Sequence, residues 1–292
     1  MHTLKEFNCP KNLYNLVKSY FSDRTATIHT NNIQIEKEVS KGCPQGSCCG
    51  PRFRNMQFNS LLNLKYGKRT KAIAFVDDLL IAVRGENFQE AENFANIDIG
   101  QISNWAKENK ITFNKQKSKV ILVTRRKRRE IPEVNIYLNT KLLEEVNSIK
   151  YLRITIDSKM HFREHITSKE KKCTTLVHTL AKSAKLNCGL KEEAPNIIYK
   201  GDFLTLMLYG APVWIRAMEK KCNRTMYNRV GRLMNIKIAK VYRTTSKEAL
   251  CVITGNIPIE LKAEETANIY RITKDKKINF WTTKLNRKTG LT

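Results

Sequence analysis

The sequence predicts an α+β fold, a sheet-bearing first half followed by a helical second half, and three observations carry that reading. Residues 72–76 and 79–83 are apolar runs of strand length with Asp77 and Asp78 between them. Helix-period segments stand on either side, at residues 11–21 and 88–106. Beyond about residue 160 the apolar positions recur mainly at helical spacing. The first half taken alone would equally allow α/β.

Charge narrows the class of partner. The chain has 292 residues, enough for one large domain or two small ones, and 41% of them are hydrophobic, which excludes disorder throughout. Lys and Arg number 53 against 27 Asp and Glu, leaving +26. Such an excess repels itself unless a partner neutralises it, and it binds polyanions by releasing their counterions. Nucleic acid is therefore the first partner implied and an anionic membrane surface the second. No apolar run reaches bilayer-spanning length, and residues 1–6 lack the apolar core of a signal peptide, so an intracellular chain with no membrane partner is expected. Eight cysteines without a secretory signal read as free thiols.

In chain order, Leu13, Leu16, Val17, Tyr20 and Phe21 fall on one helical face after Pro10. Residues 25–29 and 33–36 flank Thr30, Asn31 and Asn32 as a hairpin, which leads to a Pro/Gly turn at residues 41–47. A loosely periodic helix follows at 53–64, then the strand pair. Phe88, Ala91, Ala95, Ile99, Ile102 and Ala106 line a cleaner helix with Trp105 beside them, and residues 120–123 read as a strand. Arg125, Arg126, Lys127, Arg128 and Arg129 form an exposed basic loop, because like charges cannot be buried together. It reads equally as a nuclear address, a phosphate contact or a solvated run. Residues 149–157 alternate as a strand. Cys173, Leu176, Val177, Leu180, Ala181 and Ala184 mark a helix, residues 197–208 a buried apolar segment, and Val230, Leu233, Met234, Ile238 and Val241 another helix. A basic, polar tail runs from 274 to 292.

Two adjacent carboxylates between apolar strands should be poorly solvated and in need of a cation, and Mg2+ is the natural one: hard, oxygen-seeking, and able to bridge to substrate phosphates. A plain hairpin with two solvated turn aspartates is the alternative. Cys43, Cys48 and Cys49 have no further Cys or His at ligand spacing, so zinc is not expected. His161 and His165 could share a helix face, as packing or surface residues.

Taken in order, three pieces give the aspartate pair a context: Gly42, Cys43, Pro44, Gln45, Gly46 and Ser47; then Ala74, Phe75, Val76, Asp77 and Asp78; then Lys150, Tyr151 and Leu152 through Asp157. Together they resemble the reverse transcriptases of non-LTR, LINE-like retrotransposons. Cys48, Cys49, Gly50 and Pro51 are similar to the insect type-1 elements that insert in ribosomal DNA, and residues 209–214, 242–250 and 255–259 are similar to further stretches of the family. The resemblance implies a partial polymerase palm (antiparallel sheet with helices) at 1–124, a basic loop and primer-grip strands at 125–161, a helical thumb at 162–240 and a C-terminal extension at 241–292. It implies RNA-directed DNA synthesis by two-metal nucleotidyl transfer, with an RNA template and a DNA primer as partners and nuclear residence from the DNA target.

Residue by residue, it makes Asp77 and Asp78 the metal-holding catalytic carboxylates and Phe75 the aromatic before them. Gln45 and Gly46 would lie against template and incoming nucleotide, with Ser47 and Pro51 completing that motif. Lys117 would sit near the triphosphate, where a cation steadies phosphate charge or donates a proton, and Tyr151 and Leu152 would grip the primer.

Departures matter too. The family's further palm aspartate stands in a strand ahead of the helix that opens this chain, and Asp23 does not match it. An N-terminally truncated copy is therefore expected, with Mg2+ held weakly or not at all, and the alternative to a polymerase fragment is a catalytically inactive nucleic-acid-binding remnant. Arg52 and Arg54 stand for Gly and Trp, Val76 for Ala, Arg153 for Gly and Gly231 for Gln. Arginine at 153 is the costliest, since a primer-gripping turn there calls for φ > 0.

Overall fold

The computed structural model describes residues 2–30, 33–39, 42–44, 46–126, 132–186 and 193–289. Gln45, residues 127–129 of the basic run and Asn31 and Asn32 of the first hairpin lie outside the described residues. The chain forms two compact units, Met1–Val120 with Arg128–Glu144, and Ile121–Lys127 with Glu145–Thr292. Helices and small antiparallel hairpins make up both, an α+β composition.

The first unit runs α1 (His2–Glu6), α2 (Lys11–Phe21), β1 (Thr25–Thr30), β2 (Ile33–Glu38), α3 (Gly50–Leu62), β3 (Thr70–Phe75), β4 (Asp78–Val83) and α4 (Phe88–Glu108). Two-residue strands follow: β5 (Lys119–Val120), β6 (Tyr137–Leu138), β7 (Lys141–Leu142) and β8 (Glu144–Glu145). The strand expected at 120–123 is thus only its beginning.

Helix α4 starts where capping chemistry starts it. The Asn87 side chain accepts from the Glu90 N–H at 2.8 Å, which satisfies a donor that the helix end would otherwise leave open, and the Glu90 carboxylate reaches back to the Glu86 N–H at 2.5 Å just ahead of the cap. Its apolar stripe, Ile102, Trp105 and Ala106, buries Leu61 of α3 and is joined by Phe58, Leu79 and Ile81. Strands β3 and β4 pair from Thr70↔Val83 to Phe75↔Asp78. That register turns Ala72, Ala74, Leu79 and Ile81 to one face and Ile73, Phe75 and Leu80 to the other. Only the first face meets the helices, so the strands are buried on one side rather than on both.

The second unit opens with β9 (Ser148–Tyr151) and β10 (Ile154–Asp157), a hairpin where the alternation at 149–157 suggests one strand. It continues with α5 (Arg163–Leu186), α6 (Glu193–Ile198), a π-helical turn (Tyr199–Phe203), α7 (Leu204–Leu208), α8 (Ala211–Trp214), a 3-10 turn (Ile215–Glu219), α9 (Lys221–Ala239), α10 (Lys247–Thr254) and α11 (Ile259–Thr289). Among the described residues no helix is long and apolar enough to cross a membrane. The described cysteines are free thiols.

One core serves these helices: Ile166, Val177, Phe203, Met207, Trp214, Tyr227, Val230 and Met234 are essentially removed from water. Gly231 lets α9 and α11 approach closely, since a Cβ there would stand 2.7 Å from Ile259 Cγ2. Entry into α5 is held by Asp157, whose carboxylate accepts from the N–H groups of Lys159 (3.1 Å), His161 (3.0 Å) and Phe162 (2.5 Å). At the other end of the motif region, Ser246 caps α10 through the Ala249 N–H, and Gly255 closes it at φ 64°.

Polar groups inside this core are few and placed for a reason. Lys169 is buried on α5, and its ammonium donates to the carbonyls of Leu206 (2.6 Å), Met207 (3.2 Å) and Tyr209 (3.1 Å). A cation there satisfies carbonyls that the end of α7 leaves open. One turn earlier His165 is also buried and accepts from the Thr155 N–H at 3.3 Å, while His161 lies before the helix and is exposed, so the two histidines do not share a helix face. Burial first, and the nearby Lys169 and Lys172 charges second, hold the His165 imidazole down at about 4.

This sets an acid dependence. Folded His165 takes its proton only near pH 4, whereas the unfolded chain takes it at 6.5. Its stabilising contribution is thus complete above 6.5 and lost as the pH falls towards 4, with a slope of up to about 1.4 kcal/mol per pH unit. Urea unfolding between pH 7 and 4 should show a shallower loss of stability in His165→Gln, which keeps an acceptor for Thr155 without the titration; equal slopes would exclude His165 as the source.

Candidate metal and nucleic-acid site

The β3–β4 hairpin closes through two residues, Val76 and Asp77, between the paired Phe75 and Asp78. Two-residue hairpins need φ > 0 at the turn to match strand twist, and Val76 supplies it at φ 54°. For a β-branched residue this is a strained backbone, costing roughly 1–3 kcal/mol.

The strain leaves Asp77 at the apex and Asp78 at the head of β4, both exposed to solvent. Phe75 and Val76 are exposed beside them, at 57% and 56%. The expected desolvation is absent, because a two-stranded ribbon with one covered face cannot enclose its own turn. What neutralises Asp77 is a protein cation: the Arg54 guanidinium of α3 forms an ion pair with Asp77 Oδ1.

The turn at 42–47 is built by residues that carry no motif. The Arg24 guanidinium donates to the Gly42 carbonyl at 2.7 Å and lies over the Phe21 ring, and the Tyr20 and Ser47 hydroxyls share a hydrogen bond of 2.7 Å. Tyr20, Phe21 and Phe53 pack their rings together beneath it. Gly46 needs its lack of a side chain, at φ 86°, and the space where a Cβ would stand is open. No sequence signal distinguished Tyr20 or Arg24 as site residues, since each acts through a partner remote in the chain, and Arg54 stood out only as a departure from the family pattern.

Lys117 is exposed in a turn organised by the Asn114 side chain, which accepts from the N–H groups of Gln116 (3.0 Å) and Lys117 (3.2 Å). Among the described residues no ion pair joins it to Asp77 or Asp78.

In the second unit, Tyr151 and Leu152 are half-buried at the β9–β10 turn, where Leu152 and Arg153 both take φ > 0, at 45° and 65°. Arginine therefore adopts the backbone that a glycine would adopt more cheaply. Residues 209–214, read separately in the sequence, meet this turn. The Tyr209 hydroxyl donates to the Leu152 carbonyl at 2.9 Å, and Trp214 Nε1 donates to the Tyr209 carbonyl at 2.9 Å. Gly210 lies so close to Ile154 that a Cβ would stand 2.5 Å from its Cδ1.

Asp77 and Asp78 offer hard oxygen donors, but among the described residues no group of three or more His, Cys, Asp or Glu side chains could hold a metal ion, and Arg54 already occupies Asp77. These donors do not fit a two-ion cage, which needs carboxylates converging on both ions.

The hairpin lies within a segment that known proteins share. A family profile described as reverse transcriptase (RNA-dependent DNA polymerase) matches residues 1–156, and the chain belongs to that family. Reverse transcriptases generally use a divalent ion, typically Mg2+. Within the family its relatives include proteins of non-LTR, type-1 elements. It is 27% identical, over 82% of its length, to a retrovirus-related Pol polyprotein from type-1 retrotransposable element R1 2 of Nasonia vitripennis. It is 30% identical, over 88%, to a putative 115 kDa protein in type-1 retrotransposable element R1DM of Drosophila melanogaster. It is also 25% identical, over 81%, to the RNA-directed DNA polymerase from mobile element jockey of the same fly. The chain spans 59% of the first of these relatives, 25% of the second and 26% of the third. No solved structure matches.

Relief of the turn strain is measurable. Val76→Gly should raise unfolding stability by about 0.5–1 kcal/mol, net of the chain entropy that glycine adds. Denaturant midpoints compared with Val76→Ile, which keeps the strain and should gain nothing, check it.

Proposed function

We propose that the chain is part of an RNA-directed DNA polymerase of a non-LTR retrotransposon, with a palm fragment at 1–124, a basic loop and primer-grip strands at 125–161, a thumb at 162–240 and a C-terminal extension at 241–292. The observation that carries this is the aspartate pair at the apex of a two-residue hairpin inside the segment that the family profile covers. In the intact polymerase Asp77 and Asp78 would be metal carboxylates, Gln45, Gly46 and Phe75 would face template and nucleotide, Lys117 the triphosphate, and Tyr151 and Leu152 the primer. Nuclear residence follows from a DNA target.

Charge supports the grip on an RNA template and DNA primer. Arg163, Lys171 and Lys172 are exposed along α5, beside Glu164, Thr167 and Ser168. Guanidinium and ammonium donors there suit phosphate oxygens and would recognise a duplex by its backbone rather than its bases.

A second reading is favoured by the Arg54–Asp77 pair and by the two-carboxylate donor set: a nucleic-acid-binding remnant that does not polymerise. Primer extension on a homopolymer RNA template with Mg2+ or Mn2+ separates the two. The remnant yields no product; synthesis that vanishes in Asp77→Asn establishes a polymerase and removes the second reading.

Both readings require phosphate contacts. Affinity for an RNA/DNA hybrid should drop steeply between about 50 and 200 mM salt, and replacing Arg163, Lys171 and Lys172 together by Gln should flatten the log–log slope by about 2–3. An affinity indifferent to salt would contradict the proposed grip.

A further inference from the structure

The carboxylate pair is not bare, and what covers it is one of the positions where the chain departs from its resemblance. Arg54 stands on α3, a helix with proline in its first turn. From there its guanidinium reaches Asp77 Oδ1 across the β3–β4 turn. The side chains are 47% and 67% exposed, so the pair adds little to folding stability. Its consequence lies in what else Asp77 can hold.

A guanidinium and a divalent cation want the same oxygens. Guanidinium is permanently charged, weakly hydrated and tethered, so it meets Asp77 at a high effective concentration. A divalent ion must shed water to bind, and with Arg54 in place Asp78 is the free member of the pair. The other described acids and thiols supply no third ligand to tip the balance.

We propose that Arg54 is the resident cation of this site, an internal guanidinium that holds Asp77 and competes with divalent metal for the carboxylate pair. The misfit between two carboxylates and a two-ion cage then has a structural counterpart: positive charge is supplied by the chain. Other guanidinium acceptors, phosphate oxygens above all, would draw Arg54 away and leave the pair to metal. This inference rests on Asp77 and Asp78 as the metal carboxylates, and its test does not depend on polymerisation.

Titration of the full chain with Mn2+, following loss of the free-ion electron paramagnetic resonance signal, measures the competition directly. Arg54→Ala should tighten Mn2+ binding by about two- to five-fold, the range an exposed ion pair accounts for, and Arg54→Gln should do the same, which guards against one variant misfolding. Arg52→Ala removes an equal charge from the same helix and should change affinity less. Adding Asp77→Asn to Arg54→Ala should abolish the gain. Unchanged or weaker binding in both Arg54 variants, with wild-type binding still lost in Asp77→Asn, overturns the role of Arg54 while leaving the metal site standing. Binding indifferent to Asp77→Asn and Asp78→Asn overturns the site and the inference together.

Discussion

Two hairpin turns of two residues each present the aspartate pair and the Tyr151–Leu152 motif, and both demand left-handed backbone from side chains that resist it. At β3–β4 the demand falls on Val76, and at β9–β10 on Leu152 and Arg153. Strand twist leaves little choice, since a two-residue connection without φ > 0 splays the strands. The cost is met by register and packing. Leu79 and Ile81 pin β4 against Trp105 and Leu61, and a one-residue slip would turn them to solvent and move Asp78 to the opposite face. The second turn is held by the Tyr209 hydroxyl on the Leu152 carbonyl and by the fit of Gly210 against Ile154.

Positive charge is used in two ways. Where it is buried, as at Lys169, it satisfies open carbonyls and brings those of Leu206, Met207 and Tyr209 to one point. Where it is exposed, as along α5 and at Arg54, it remains available to anions, and Arg54 has found one within the chain. The same positive excess thus also reaches the carboxylates at the β3–β4 turn.

Much of the architecture was legible in the sequence because burial and period coincide there. The helix read at 11–21 is α2, the stripe from Phe88 to Ala106 is α4, and the pair of runs around Asp77 and Asp78 is β3–β4. Alternation failed at 149–157, where a turn of Leu and Arg lacks the Asn or Gly that normally announces two-residue hairpins. Apolar runs also overstated burial at 72–83, because composition reports what a strand could bury and not how many faces have neighbours.

The sequence by itself determined the class of protein, its large positive excess and the adjacency of two carboxylates in a strand–turn–strand, since these depend on residue identity, net charge and local order. Tertiary structure alone decided that the carboxylates face water, that Tyr20 and Arg24 hold the Gly46 turn, that Tyr209 closes on Leu152, and that Arg54 pairs with Asp77. Those contacts join residues 18 to 57 positions apart. A hydrogen bond or ion pair over such a separation has no period to betray it: only the packed chain brings its donor and acceptor within reach.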